Sequence, residues 1–168
     1  MKQLLFDKIA EKKMTVGVIG LGYVGLPLAV EKAKAGFRTI GFDEQAVKVE
    51  LVNQGHNYIG DVVDRDLKRL VDEGYLSATS DFSFVKEVDF IAICVPTPLD
   101  IHQEPDLSCV RSSAQEIAKY LKKNTIVVLE STTYPGTTEE LIRPILEEGS
   151  GLVCGKDFYL GFSPERVD

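Results

Sequence analysis

Short apolar runs alternate with amphipathic segments from end to end, which predicts an α/β domain: a doubly wound parallel sheet with helices on both faces. Three observations carry this expectation. Residues 15–19, 89–95 and 125–129 are continuous apolar runs of the kind found in strands buried on both faces. Between such runs lie segments with apolar residues at helical spacing. A glycine-rich hexapeptide then joins the first strand directly to the first long helix. At 168 residues the chain fits one compact domain with a sizeable core.

The elements follow in order. Residues 1–13 form a lead-in segment, in which Leu4, Leu5, Ile9 and Ala10 line one side of a short helix; residues 14–168 form the domain. After the strand at 15–19, residues 26–35 read as a helix that Gly36 ends, followed by a strand at 38–42. Helices at 45–53 and 64–72 end near Gly55 and Gly74. The strand at 89–95 is stopped by Pro96 and Pro98, which cannot continue a ladder. In 107–121, Val110, Ala114, Ile117, Ala118 and Leu121 mark one helix face. Beyond the strand at 125–129, Thr137 and Glu140 have capping-box spacing and open a helix reaching about Glu147. A last strand covers 158–162.

Bulk properties exclude several classes. The formal charge of −7 comes with no clustered basic stretch, so neither nucleic acid nor an anionic membrane surface is an expected partner. Cys94, Cys109 and Cys154 have no metal-ligand spacing, so no metal site is expected, and their odd number suits a reducing cytoplasm better than a disulfide framework. Cys94 lies in an apolar run, as a small buried hydrophobe does. No apolar run approaches the roughly 20 residues of a membrane span, and the N-terminal stretch is too short and too charged for a signal peptide. His56 and His102 stand without partners and receive no role.

Gly20-Leu21-Gly22-Tyr23-Val24-Gly25 is a G-x-G-x-x-G pattern in its expected setting, after a strand and opening a helix. Gly20 permits the tight turn, Gly22 lets backbone approach a pyrophosphate, and Gly25 allows close packing of helix and strand, the fingerprint of a Rossmann-type nucleotide site. The helix N-terminus offers the pyrophosphate its N–H groups and partial positive charge. Asp43 ends the second strand, where a carboxylate accepts hydrogen bonds from the adenosine ribose and repels a 2′-phosphate. NAD is therefore expected over NADP. Asp43 also stands where a helix N-cap would, a compatible role. Flavin and S-adenosylmethionine sites use similar loops, so the glycines specify a nucleotide and not a reaction.

Further strings carry a family resemblance. Residues 20–28 (GLGYVGLPL), 95–99 (VPTPL), 104–106 (EPD), 130–138 (ESTTYPGTT) and 163–168 (SPERVD) together resemble the UDP-glucose/GDP-mannose dehydrogenase family, and within it most the branch acting on UDP-N-acetylglucosamine. The resemblance runs from about residue 14 onward. It implies oxidation of the C6 alcohol of a sugar nucleotide to a carboxylate with two NAD, through an aldehyde-level intermediate and a cysteine thioester. It further implies that Tyr23, Val24 and Asp43 contact NAD, with Lys48 near the adenosine ribose and Thr97 beside the nicotinamide ribose. Thr132 matches the threonine that orients an active-site water, and Glu165 the carboxylate serving in thioester hydrolysis; both also fall at the NAD site.

Plainer readings stand beside these. Ser131 and Thr132 would also satisfy backbone groups in a turn, Glu165 would also suit a solvated loop, and Tyr23 would also pack against the helix. The family's later segment, with a nucleophilic cysteine in a Gly-rich setting and a lysine and asparagine, is not among these residues, and the glycine flanks of Cys154 are coincidental. The 168 residues are thus expected to be a fragment that binds NAD and turns over nothing, its central helix and sugar-nucleotide domain lying elsewhere in a dimeric or larger parent. A non-catalytic NAD-sensing module, or a dehydrogenase of UDP-glucose, UDP-N-acetylmannosamine or GDP-mannose, is the alternative. A hydroxyacid dehydrogenase is disfavoured by the strings at 130–138 and 163–168.

Overall fold

In the computed structural model, which describes residues 2–99, 101 and 103–164, the chain runs through α1 (Lys2–Ala10), β1 (Val16–Ile19), α2 (Gly25–Lys34) and β2 (Thr39–Phe42). It continues through α3 (Ala46–Asn53), α4 (Asp64–Asp72), β3 (Leu76–Thr79), a 3₁₀ turn (Phe82–Glu87), β4 (Phe90–Ile93) and α5 (Ser108–Tyr120). β5 (Ile126–Leu129), a π-helical turn (Thr137–Ile142), α6 (Arg143–Ser150) and β6 (Tyr159–Phe162) complete it. The strands form one parallel sheet in the order β3-β2-β1-β4-β5-β6. Val16 pairs with Thr39 on one side and with Phe90 on the other. The strand order reverses between β1 and β4, which opens a crevice at their carboxyl ends, the place where such sheets bind ligands.

The pleat divides the core into two layers. Val16, Val18 and Ala92 pack with Leu26 and Val30 of α2 and Leu67 and Leu70 of α4. Ile19, Phe42, Ile91, Ile93 and Leu129 point the other way, against Val110, Ala114 and Ile117 of α5 and Leu146 of α6. Side chains as deeply buried as Phe42 and Ile93 each contribute about 1.5–3 kcal/mol relative to exposure. The doubly wound sheet expected from the alternation is the one observed.

Local detail departs from or adds to the sequence reading at four places. In α1 only Leu5 is buried; Leu4, Ile9 and Ala10 are exposed, because the helix meets the domain along one narrow line. Its second anchor is polar: Lys8 Nζ lies 2.7 Å from Asp89 Oδ1, just before β4. The capping box is not formed. Gly136 stands at the cap with φ 96°, Thr137 Oγ1 donates to the carbonyl of Tyr134, and the turn is π-helical before α6 begins at Arg143. β3 was not foreseen, since it carries only Leu76 and Ala78 as buried apolar residues at an outer position of the sheet. The 3₁₀ turn, capped by Asp81 accepting from Ser83 N–H, was not foreseen either.

Candidate dinucleotide site

The turn leaving β1 explains two of its three glycines from within the chain. Gly20 has φ 89°, and a β-carbon there would stand 2.8 Å from the carbonyl oxygen of Cys94. At Gly25 a β-carbon would overlap the carbonyl oxygen of Gly20, which α2 must pass closely as it starts. Gly22 differs: a β-carbon there would meet nothing within 4 Å, so the space in front of it is open. α2 begins with no side-chain cap, Val24 preceding it, and its first intrahelical bonds are Leu26 N–H to Gly22 O and Leu28 N–H to Val24 O. The N–H groups ahead of these have no carbonyl one turn back, the usual condition for receiving an anion.

Asp43 follows β2 and is only 8% exposed. Its Oδ2 accepts from Leu21 N–H at 2.8 Å, its Oδ1 from Gln45 N–H at 2.9 Å, and Lys48 Nζ lies 3.5 Å from Oδ2. The bond to Gln45 closes a turn before α3 and does not cap it, since the cap position is Gln45 itself with no side-chain bond. A carboxylate offers about four acceptor positions, so these contacts leave capacity for a ligand hydroxyl. The sequence offered no hint of the bond to the glycine turn. Tyr58 completes it from the loop after α3, donating from its hydroxyl to Leu21 O at 2.8 Å. Burial, and then the charge of Asp43, push the Tyr58 phenol well above its ordinary range, so it stays a donor.

At the other end of the crevice the loops after β4 and β5 are stitched together. Thr97 Oγ1 donates to the carbonyl of Thr132 at 2.6 Å, and Ser131 Oγ donates to Val95 O at 2.7 Å, with Ile93 O at 3.3 Å. Ser131 therefore does satisfy backbone groups, while Thr132 is exposed at the rim. Tyr23 is 77% exposed, so it does not pack on the helix. Gly20, Gly22, Tyr23, Val24, Asp43, Lys48, Thr97 and Thr132 all line one cleft of about 540 Å³. Gly25 lies beneath it, buried at the start of α2. A smaller cleft of about 350 Å³ shares Asp43 and Lys48 and extends to Phe82 and Cys109. Glu165 and His102 lie outside the described residues.

Cys94 is buried, and burial pushes the Cys154 thiol up, away from a reactive thiolate. Among the described residues no group of three His, Cys, Asp or Glu is arranged to hold a metal ion, and no helix is long and apolar enough to cross a membrane.

Residues 14–168 match the UDP-glucose/GDP-mannose dehydrogenase family, NAD binding domain. The chain is 42% identical over 158 residues to UDP-N-acetyl-D-glucosamine 6-dehydrogenase of Pseudomonas aeruginosa, covering 94% of this chain and 36% of that protein. Among solved structures, a ternary complex of GDP-mannose dehydrogenase from Pseudomonas aeruginosa superposes with TM-score 0.87 at 32% identity, covering 91% of this chain and 36% of that one. UDP-D-ManNAc dehydrogenase from Pyrococcus horikoshii gives TM-score 0.86 at 36% identity, over 92% of this chain and 37% of that one. The chain thus spans about a third of the length of the relatives it matches. With a G-x-G-x-x-G turn at the switch of a six-stranded parallel sheet, it belongs to the UDP-glucose/GDP-mannose dehydrogenase family, as that family's NAD-binding domain.

Proposed function

We propose that the crevice binds NAD with its pyrophosphate against the backbone of Gly22, Tyr23 and Val24 and its adenosine ribose on Asp43 and Lys48. The adenine then enters the smaller cleft beside Phe82, and the nicotinamide ribose lies at Thr97 and Thr132. The observation that carries this reading is Gly22: a glycine that the fold does not require, open on the side where a phosphate would approach the helix N-terminus. Asp43 gives the selectivity, because a carboxylate held by two N–H groups cannot turn away from a 2′-phosphate.

In the whole protein this domain serves a UDP-sugar 6-dehydrogenase, with UDP-N-acetylglucosamine as the substrate favoured by the similarity to the Pseudomonas enzyme. Bound NAD would supply the hydride acceptor for the C6 alcohol. Thr132, exposed at the rim, orients a water, and Glu165 acts as general base in thioester hydrolysis. None of the three cysteines is assigned that thioester: Cys94 is buried, burial disfavours the Cys154 thiolate, and Cys109 lies with Phe82 in the smaller cleft given to the adenine.

Calorimetric titration of the purified chain with NADH tests the cofactor reading. Saturable binding of NADH, at least about tenfold weaker binding of NADPH, and loss in Gly22→Ala are expected; a tenfold ratio is about 1.4 kcal/mol. Gly22→Ala is a cleaner control than Asp43→Ala, which would also strip the partner from Leu21 N–H. Equal affinity for NADH and NADPH would overturn the role of Asp43.

A further inference from the structure

Leu21, the residue between the first two glycines, has both backbone groups held by side chains from outside the turn. Asp43 Oδ2 accepts its N–H and the Tyr58 hydroxyl donates to its carbonyl, each at 2.8 Å. Its side chain is fully buried and so close to β2 that a β-carbon at Gly41 would stand 2.7 Å from Leu21 Cδ2. Two successive peptide planes are thereby fixed. The Leu21 carbonyl shares its plane with the N–H of Gly22, and among the described residues no peptide is cis, so that N–H points opposite to the carbonyl. Holding the carbonyl therefore aims the N–H. A donor on the carbonyl oxygen also polarises the peptide and strengthens its N–H as a donor.

Tyr58 is not needed to hold its own loop together. Asn57 does this, donating to Ile59 O and Val62 O while accepting from Ile59 N–H. The phenol thus reaches the glycine turn from a segment already closed by its own hydrogen bonds.

We propose that Tyr58 is a positioning residue for dinucleotide binding: acting through Leu21, it aims the Gly22 N–H at the pyrophosphate and ties that donor to Asp43. The proposal rests on the NAD reading above. The test is Tyr58→Phe, which keeps the ring and removes the hydroxyl, titrated with NADH and with adenosine, which lacks the phosphates. One lost hydrogen bond predicts about a fivefold rise in the Kd for NADH, with the Kd for adenosine changed by less than about twofold. In the unliganded variant the Gly22 amide nitrogen resonance is expected to move upfield, because its carbonyl has lost a donor. Equal weakening of NADH and adenosine would mean a merely structural tyrosine and would overturn the proposal, as would unchanged NADH affinity. If the unaltered chain binds no NADH, the cofactor reading fails by itself; the Gly22 resonance then still decides, and its failure to move would overturn the action of Tyr58 through Leu21.

Discussion

At Gly25 a β-carbon has no room, because the Gly20 carbonyl oxygen occupies its place, whereas at Gly22 a β-carbon meets nothing within 4 Å and φ is not positive. The two glycines should therefore respond in opposite ways to alanine. Gly25→Ala forces the turn and α2 apart and is expected to cost about 1–3 kcal/mol, as overpacking does. Gly22→Ala should leave the melting temperature unchanged or slightly raised, through a less flexible unfolded chain, while NADH binding is lost. Parallel thermal melts and NADH titrations of both variants check this; a destabilised Gly22→Ala would show that the fold, not a ligand, requires that glycine. The spacing of these glycines was legible in the sequence because the strand end, the turn and the helix start they serve follow one another directly along the chain. Asp43 was legible as the residue ending a strand. Its grip on Leu21 was not, and neither was Tyr58, whose contact spans 37 residues and follows no periodicity.

Among the elements, the legible ones announce themselves by local chemistry. α2, α3 and α4 stop where Gly36, Gly55 and Gly74 adopt positive φ, as the sequence suggested. β3 and the π-helical turn depend on what they pack against, so no local pattern marks them. α1 is likewise held by a distant partner. Asp89 Oδ1 lies 2.7 Å from Lys8 Nζ of α1 and 3.1 Å from Lys122 Nζ after α5, and Oδ2 accepts from Thr15 N–H before β1. Burial alone would raise the Asp89 pKa, but Lys8, the Thr15 N–H and Lys122 together bring it below the ordinary carboxylate range. A depressed folded-state pKa contributes stability that is complete above the unfolded value, about 3.9 for aspartate. That contribution is lost as pH falls below this value and through the lower folded pKa. Melting curves of the unaltered chain and of Asp89→Asn should therefore differ clearly at neutral pH and converge in this acidic window. Hydrogen exchange in α1 should rise first, since Leu5 is its only buried side chain. A gap between the two proteins that stayed constant down to the acid transition would show that the charge of Asp89 is not what holds α1.

At the scale of the whole molecule, an anionic cofactor meets a protein of formal charge −7. Proteins that hold phosphates by clustered Lys and Arg lose affinity steeply as salt rises, because screening and counterion release both act against them. Here the donors proposed for the pyrophosphate are backbone N–H groups at the start of α2, and the cation closest to Asp43, Lys48, already has that carboxylate 3.5 Å away. Short hydrogen bonds of this kind are hardly screened, while the long-range repulsion between protein and dinucleotide is. The screening length falls from about 30 Å at 0.01 M ionic strength to about 8 Å at 0.15 M. NADH affinity should consequently hold steady, within about twofold, or tighten slightly across that range, and the association rate should rise. Calorimetry at both ionic strengths, with stopped-flow fluorescence for the rate, measures each part. A loss of tenfold or more in affinity on adding salt would mean that side-chain cations carry the phosphates, and Lys48→Ala would then abolish the salt dependence along with most of the binding.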